Sequence, residues 1–171
     1  MDLKQVIADV PDFPKPGILF RDITPVVESP AAFAAALEGL SELISGVDYS
    51  TLAAVESRGF VFGGPLALQR NKRLVLVRKA GKLPRKTVTT SYELEYGEAS
   101  IEVHHDSFHK GESVVVLDDL LATGGTAAAT GELVRACGAQ VAAYLFLVEL
   151  EFLGGRSKLT DAPVFSLVNY D

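Results

Sequence analysis

The chain has 171 residues, 48% of them hydrophobic, and a formal net charge of −6. That is the size of one globular domain with a real core, and no apolar stretch approaches the length of a membrane span. A lone cysteine, Cys137, excludes an intramolecular disulfide and points to a reducing cytoplasm, while the negative charge argues against nonspecific nucleic-acid binding.

The first 25 residues are rich in proline and carry no helical or strand period. They lack the basic start and long apolar block of a secretory signal, and residues 1–28 are expected to form a small hood over the rim of the core. Ser29-Pro30 reads as an N-cap followed by proline at the first helical position. Phe33, Leu37, Leu40 and Ile44 then recur at helical spacing, which predicts one amphipathic helix. Thr51 to Val55 reads as a buried strand and Gly59 to Leu68 as a helix. Leu74 to Val77 is a second apolar strand. Thr87 to Val103 alternates, with Gly97 between its halves, and predicts a hairpin-like excursion.

Val114 to Leu117 is a third buried strand, followed at once by the acid pair Asp118-Asp119. The small-residue turn Ala122-Thr123-Gly124-Gly125-Thr126 then opens an alanine-rich helix that Gly138 ends. Gln140 to Val148 and Pro163 to Val168 complete the strands. Strands alternating with helices predict a parallel sheet covered on both faces, with ligands beyond the carboxyl ends of its strands. Residues 29–150 are then the core and 151–171 a terminal strand.

Three polar turns fall at strand ends: Glu56-Ser57-Arg58-Gly59, Arg78 to Lys82, and Asp118 to Thr126. The last of these carries the most chemistry. Its glycines let the backbone approach a phosphate, and the N–H groups and dipole of the helix start supply positive charge. Thr123 and Thr126 can add hydroxyl donors. The two carboxylates suit ribose hydroxyls, or a metal that travels with phosphates. The turn is neither a P-loop nor a dinucleotide fingerprint, because neither motif occurs in the chain. Positive charge is concentrated nearby: Arg70 to Lys86 holds half of the chain's 16 Lys and Arg and no Asp or Glu, which suits a second anion. A basic stripe interleaved with aromatics, as single-stranded nucleic acid needs, is lacking. His104, His105, Asp106 and His109 are read as solvated turn residues rather than a metal site.

An acid pair directly after an apolar strand and five residues before TGGT resembles the diphosphate-sugar signature of the type I phosphoribosyltransferases. Further blocks resemble the adenine-specific branch of that family: PDFPKPGILFRDITP at 11–25, ESRGFVFG at 56–63, VRKAGKLP at 77–84, YELEYG at 92–97 and DDLLATGGT at 118–126. The resemblance implies a mainly parallel five-stranded sheet flanked by helices, a small N-terminal hood, and a flexible β-hairpin-like loop over residues 83–100. It implies transfer of the phosphoribosyl group of 5-phosphoribosyl 1-pyrophosphate (PRPP) to adenine, giving AMP and pyrophosphate with Mg²⁺, in a cytoplasmic homodimer. Asp118 and Asp119 would hold the ribose hydroxyls, and Ala122, Thr123, Gly124, Gly125 and Thr126 the 5′-phosphate. Arg58 and Lys82 would stabilise the leaving pyrophosphate, joined by Glu56, Ser57, Arg78 and Lys79 around PRPP. Phe20 and Leu120 would sandwich the base, with Leu19 and Arg21 reading its edge through backbone groups. Glu95 and Tyr96 would close over the base and assist catalysis. The metal would be carried by PRPP, reaching Asp118 and Asp119 directly or through water. A phosphoribosyltransferase for another base is the nearest alternative. A ligand-sensing regulator on the same fold is the alternative from another class, but it needs a DNA-binding appendage for which the chain has no spare segment.

Overall fold

A computed structural model describes residues 1–93 and 97–171. They group into two compact units, Met1–Gly39 and Leu40–Asp171.

The first unit opens with a 3-10 turn, Leu3–Gln5, capped by the Asp2 carboxylate. Strands β1 (Ala8–Pro11) and β2 (Leu19–Asp22) pair antiparallel, with Ala8 opposite Asp22 and Pro11 opposite Leu19. The link between them is pinned by Asp12, whose carboxylate accepts the Gly17 N–H at 2.7 Å, and Gly17 supplies the positive φ of +87°. Neither this hairpin nor the short helix α1 (Thr24–Glu28) was legible in the sequence. Asp22 starts α1 by accepting both the N–H and the hydroxyl of Thr24, at 2.9 and 2.8 Å. Helix α2 (Pro30–Leu43) begins where Ser29 predicts, with the Ser29 hydroxyl accepting the Ala32 N–H at 3.3 Å. Its buried stripe is rotated from the expected one. Ala32, Ala36, Leu40 and Ile44 are fully buried, while Phe33 and Leu37 are half-buried.

In the second unit the elements follow as β3 (Thr51–Val55), α3 (Gly59–Gln69), β4 (Arg73–Lys79), β5 (Thr87–Glu93), β6 (Glu98–His104), β7 (Ser113–Leu121), α4 (Gly125–Ala136), β8 (Gln140–Leu150) and β9 (Val164–Tyr170). The sheet order is β5-β6-β4-β3-β7-β8-β9. The five strands from β4 to β9 run parallel, as expected. The sheet nevertheless has seven strands rather than five, because the predicted excursion is a β5–β6 hairpin that pairs antiparallel with the carboxyl end of β4, Arg78 opposite Glu102 and Lys79 opposite Ile101. The unbroken apolar runs of β3 and β7 are explained by helices on both faces. On one face Gly63 of α3 lets the helix backbone settle against Ala54, Leu117 and Leu74. On the other, Ala127, Leu133 and Val134 of α4 pack with Val55, Val77, Val116, Tyr144 and Phe146. Gly138, at φ +84°, ends α4 as predicted.

A single carboxylate ties the amino ends of three adjacent strands. Glu112, just before β7, accepts the hydroxyls of Ser50 and Thr51 at the start of β3, the Arg73 guanidinium at the start of β4, and the His109 N–H at 2.9 Å. Burial alone would raise its pKa, but these donors hold it at about 2, against an ordinary 4.5. The folded value is depressed, so the stabilisation is fully present above pH 4.5 and is lost as pH falls from there toward 2. Glu112→Gln is therefore expected to cost roughly 1–3 kcal/mol at pH 7, read as a lower urea midpoint, and to flatten the acid limb between pH 4.5 and 2. An unchanged midpoint would show the cluster to be ornamental.

Candidate functional site

Three loops leave the carboxyl ends of neighbouring parallel strands and meet, as the topology requires. A cavity of about 290 Å³ is lined by Glu56, Ser57 and Arg58 after β3, by Lys79 at the end of β4, and by Asp118, Asp119, Leu120, Ala122 and Thr126 after and within β7. Tyr92 and Ile101 of the hairpin complete the wall. A smaller space of about 80 Å³ lies between Asp118 and the residues Leu120 to Ala127. It contains Thr123, Gly124 and Gly125, so every residue expected around the 5′-phosphate borders one space or the other.

The acid pair does not follow the strand; it lies inside it. β7 runs on to Leu121 because Asp118 and Leu120 keep pairing with Phe146 and Val148 of the long strand β8. Both side chains nevertheless line the main cavity, and the Asp118 carboxylate accepts the Asp119 N–H at 2.8 Å. Asp119 is 5% exposed and its carboxylate accepts the Arg58 Nε–H at 2.5 Å, which fixes a half-exposed guanidinium on the cavity wall. Asp118 makes no ion pair among the described residues, although the Arg58 charge also reaches it. Burial, then the adjacent charge of Asp119, push its carboxyl well above the usual range.

The turn after β7 places Gly124 at φ +79° as the residue before α4, where an L side chain would be strained. It is also pressed from outside. A Cβ on Gly124 would lie 2.4 Å from the Gly155 carbonyl oxygen, and one on Gly155 would lie 2.2 Å from the Ala122 carbonyl oxygen. Gly155 opens a short 3-10 turn, Gly155–Lys158. That turn is anchored by Arg156, which grips the buried Glu149 of β8 through two nitrogens and also donates to the Val164 carbonyl at 2.7 Å. The stretch from Glu151 to Lys158 gives no sign of this in the sequence beyond its paired glycines. A second unforeseen contact crosses from the hairpin: the Thr126 hydroxyl donates to Tyr92 Oη at 3.0 Å.

Glu56 and Arg78 face each other. Arg78 donates to the Glu56 carboxylate at 3.2 and 3.4 Å and to the Lys82 carbonyl at 3.2 Å, and the Lys79 N–H donates to Glu56 at 2.9 Å. Burial would raise the Glu56 carboxyl, but these donors keep it below its ordinary value. Glu56 and Arg78 thus lock the first two loops together. Arg78 and Lys82 do not line the cavity, although the exposed Lys82 sits in the adjoining turn.

Leu19, Phe20 and Arg21 lie on β2 of the first unit. The Phe20 ring meets Phe13 edge-on at 5.1 Å, the Arg21 side chain pairs with Asp9, and Leu19 and Arg21 stand opposite Pro11 and Asp9 in the β1–β2 ladder. Glu95 and Tyr96 lie outside the described residues. Of the histidine-rich stretch, Asp106 pairs with Arg85 at 2.6 Å, and His109 serves Glu112 through its backbone.

Comparison with known proteins agrees with this geometry. Residues 28–163 match the phosphoribosyl transferase domain family. The chain is 50% identical over 171 residues to adenine phosphoribosyltransferase of Synechococcus sp., covering all of both chains. It superposes on the crystal structure of adenine phosphoribosyltransferase from Thermoanaerobacter pseudethanolicus with a TM-score of 0.96 and 47% identity, over 99% of this chain and 98% of that one. It superposes on the Saccharomyces cerevisiae enzyme, solved with adenine and an imino-altritol bisphosphate, with a TM-score of 0.91 and 43% identity, over 97% and 96% of the two chains. A shared rim of three strand-end loops and full-length identity of this order leave one conclusion: the chain belongs to the adenine phosphoribosyltransferase family.

Proposed function

We infer that the chain transfers the phosphoribosyl group of PRPP to adenine, giving AMP and pyrophosphate in purine salvage. The observation that carries this reading is the cavity in which the Arg58–Asp119 pair, Lys79 and the phosphate turn converge. Each has a part in the chemistry. The turn from Ala122 to Thr126 and the start of α4 receive the 5′-phosphate through backbone N–H groups. Asp118 and Asp119 accept the ribose hydroxyls, and Leu120 lies beneath the base. Breaking the C1–pyrophosphate bond puts positive charge on the ribose and negative charge on the leaving group. Arg58, Lys79 and Lys82 stabilise the latter in a partly closed site. Ser57 adds a hydroxyl to the same loop, while Glu56 and Arg78 keep the two loops in register. Leu19, Phe20 and Arg21 form the base-reading hood, Glu95 relays a purine proton, and Tyr96 closes beside it.

Mg²⁺ fits the donors present. Asp118 and Asp119 offer hard oxygen ligands on the cavity wall. The ion would be carried by PRPP and held by these two residues, where it would neutralise pyrophosphate charge. A homodimer is proposed on the exposed apolar side chains Val61 and Leu68 of α3 and Leu74 and Leu76 of β4; sedimentation of the purified chain measures it directly. The cytoplasm is the proposed place of action, supported by the lone, half-buried Cys137.

The deciding experiment incubates the chain with PRPP, Mg²⁺ and a panel of bases. Adenine is expected to turn over fastest. Faster turnover of guanine, hypoxanthine or xanthine would overturn the base assignment, and no turnover of any base would overturn the reaction.

A further inference from the structure

The turn that carries Lys82 has a second anchor, and it comes from the hairpin. Glu102 sits in the middle of β6 and is 4% exposed. Its carboxylate accepts the backbone N–H of Lys82 at 3.1 Å and of Leu83 at 3.0 Å. The Gly81 N–H and the Thr87 hydroxyl also bond to it. Consecutive N–H groups turned toward one anion form a concave donor nest, here filled by a side chain of the protein itself. Gly81 makes the nest possible with φ +83°, a conformation that glycine adopts without strain. On its far side the same turn is held by Arg78, which donates to the Lys82 carbonyl. The backbone of Lys82 is therefore fixed through both its N–H and its C=O, although its side chain is exposed. The neighbour of Glu102 on β6, Ile101, lines the main cavity.

We propose that Glu102 is a positioning residue for pyrophosphate, acting by holding the Gly81–Leu83 turn so that Lys82 is presented to the leaving group. Glu102 touches no substrate; it works from beneath the turn. Its placement on β6 also ties the hairpin to this turn. The net effect of the donors agrees with this: burial would raise the Glu102 carboxyl, yet the N–H groups of Leu83, Gly81 and Lys82 and the Thr87 hydroxyl hold it below its ordinary value. The carboxylate is thus ionised, and it is the charge that gathers the donors. Glutamine has the same shape and can keep one oxygen for the Lys82 and Leu83 N–H groups, but it loses the charge and the second acceptor, which weakens the nest.

This inference rests on the proposed role of Lys82, and the test separates the two. Glu102→Gln, Lys82→Ala and the double variant are compared by KM for PRPP, inhibition by pyrophosphate and KM for adenine. Glu102→Gln is expected to weaken PRPP and pyrophosphate by about tenfold or more, as losing charge-assisted bonds does, while the KM for adenine stays within about threefold. In the Lys82→Ala background the same change is expected to shrink below about threefold, because the two residues act as a unit. A folded Glu102→Gln with unchanged pyrophosphate inhibition overturns the proposal, as does an equal loss toward adenine or an undiminished effect without Lys82. Lys82→Ala with normal pyrophosphate inhibition brings down the reading of Lys82 and this inference with it. Should Glu102→Gln fail to fold, Thr87→Val removes a single bond to the carboxylate. A rise of about twofold to fivefold for PRPP alone supports the proposal, and no rise overturns it.

Discussion

Gly155→Ala is expected to raise the KM for PRPP by roughly tenfold to 100-fold while leaving the KM for adenine nearly unchanged. The added methyl would lie 2.2 Å from the Ala122 carbonyl oxygen and 2.9 Å from the Gly124 nitrogen. Both atoms belong to backbone that cannot swing aside like a side-chain tip. Overpacking of this kind costs about 1–3 kcal/mol, and the structure can relieve it by only two routes. The 3-10 turn could retreat, but Arg156 clamps it to Glu149 and to the Val164 carbonyl. The remaining route displaces the turn from Ala122 to Thr126, whose N–H groups converge on one anion in the proposed function. Gly155 has no left-handed φ, so the backbone itself accepts alanine and the effect is one of space alone. Gly46→Ala, where a methyl meets nothing within 4 Å, is the matched control and should change neither constant. Equal PRPP affinity in the two variants would mean that the phosphate turn is not held from outside.

The reach of the sequence here followed the range of the interactions. Patterns carried by neighbouring residues were legible: the apolar runs of β3, β7 and β8, the Ser29 cap of α2, the Gly138 stop of α4, and the alternation that marks the β5–β6 hairpin. The three loops that meet at the cavity were also legible, because a parallel sheet sends the carboxyl ends of its strands to one edge. Where pairing at a distance decides the outcome, local pattern failed. β7 continues through its two acids because β8 is long enough to keep bonding it, and no local property of Asp-Asp announces a strand. The β1–β2 hairpin has no local signature because its strands have four residues each and are tied by the Asp9 and Asp12 side chains. Glu102, Glu112 and Gly155 have no local signature for the same reason. Glu102 meets Leu83 across 19 residues and Glu112 meets Thr51 across 61, and nothing in the spacing of such pairs marks them.

The two adjacent acids of β7 should give stability changes of opposite sign. Asp119 is buried against the Arg58 guanidinium. Asp119→Asn removes a charge-assisted bond worth about 1.5–3 kcal/mol, lowers thermal stability and releases Arg58 from the cavity wall. On the proposed role of Asp119 it also forfeits a ribose contact, so kcat/KM for PRPP is expected to fall by about 10²-fold to 10³-fold, or roughly 3–4 kcal/mol of transition-state stabilisation. Asp118 is different, since burial and the charge of Asp119 already oppose its ionisation. A folded pKa raised above the unfolded one means that the ionised group costs stability at neutral pH. Asp118→Asn removes that cost at nearly constant shape, so the ligand-free protein should melt at a higher temperature than the parent. Its activity should nonetheless fall by at least about tenfold, because a neutral amide neither accepts the ribose hydroxyl as strongly nor offsets Mg²⁺ charge. A more stable and less active variant is what a site held under electrostatic tension for its ligand predicts. If Asp118→Asn melts below the parent, or if the two substitutions shift the melting temperature together, the charge of Asp118 is satisfied in the free protein and the acid pair is not poised for a cation.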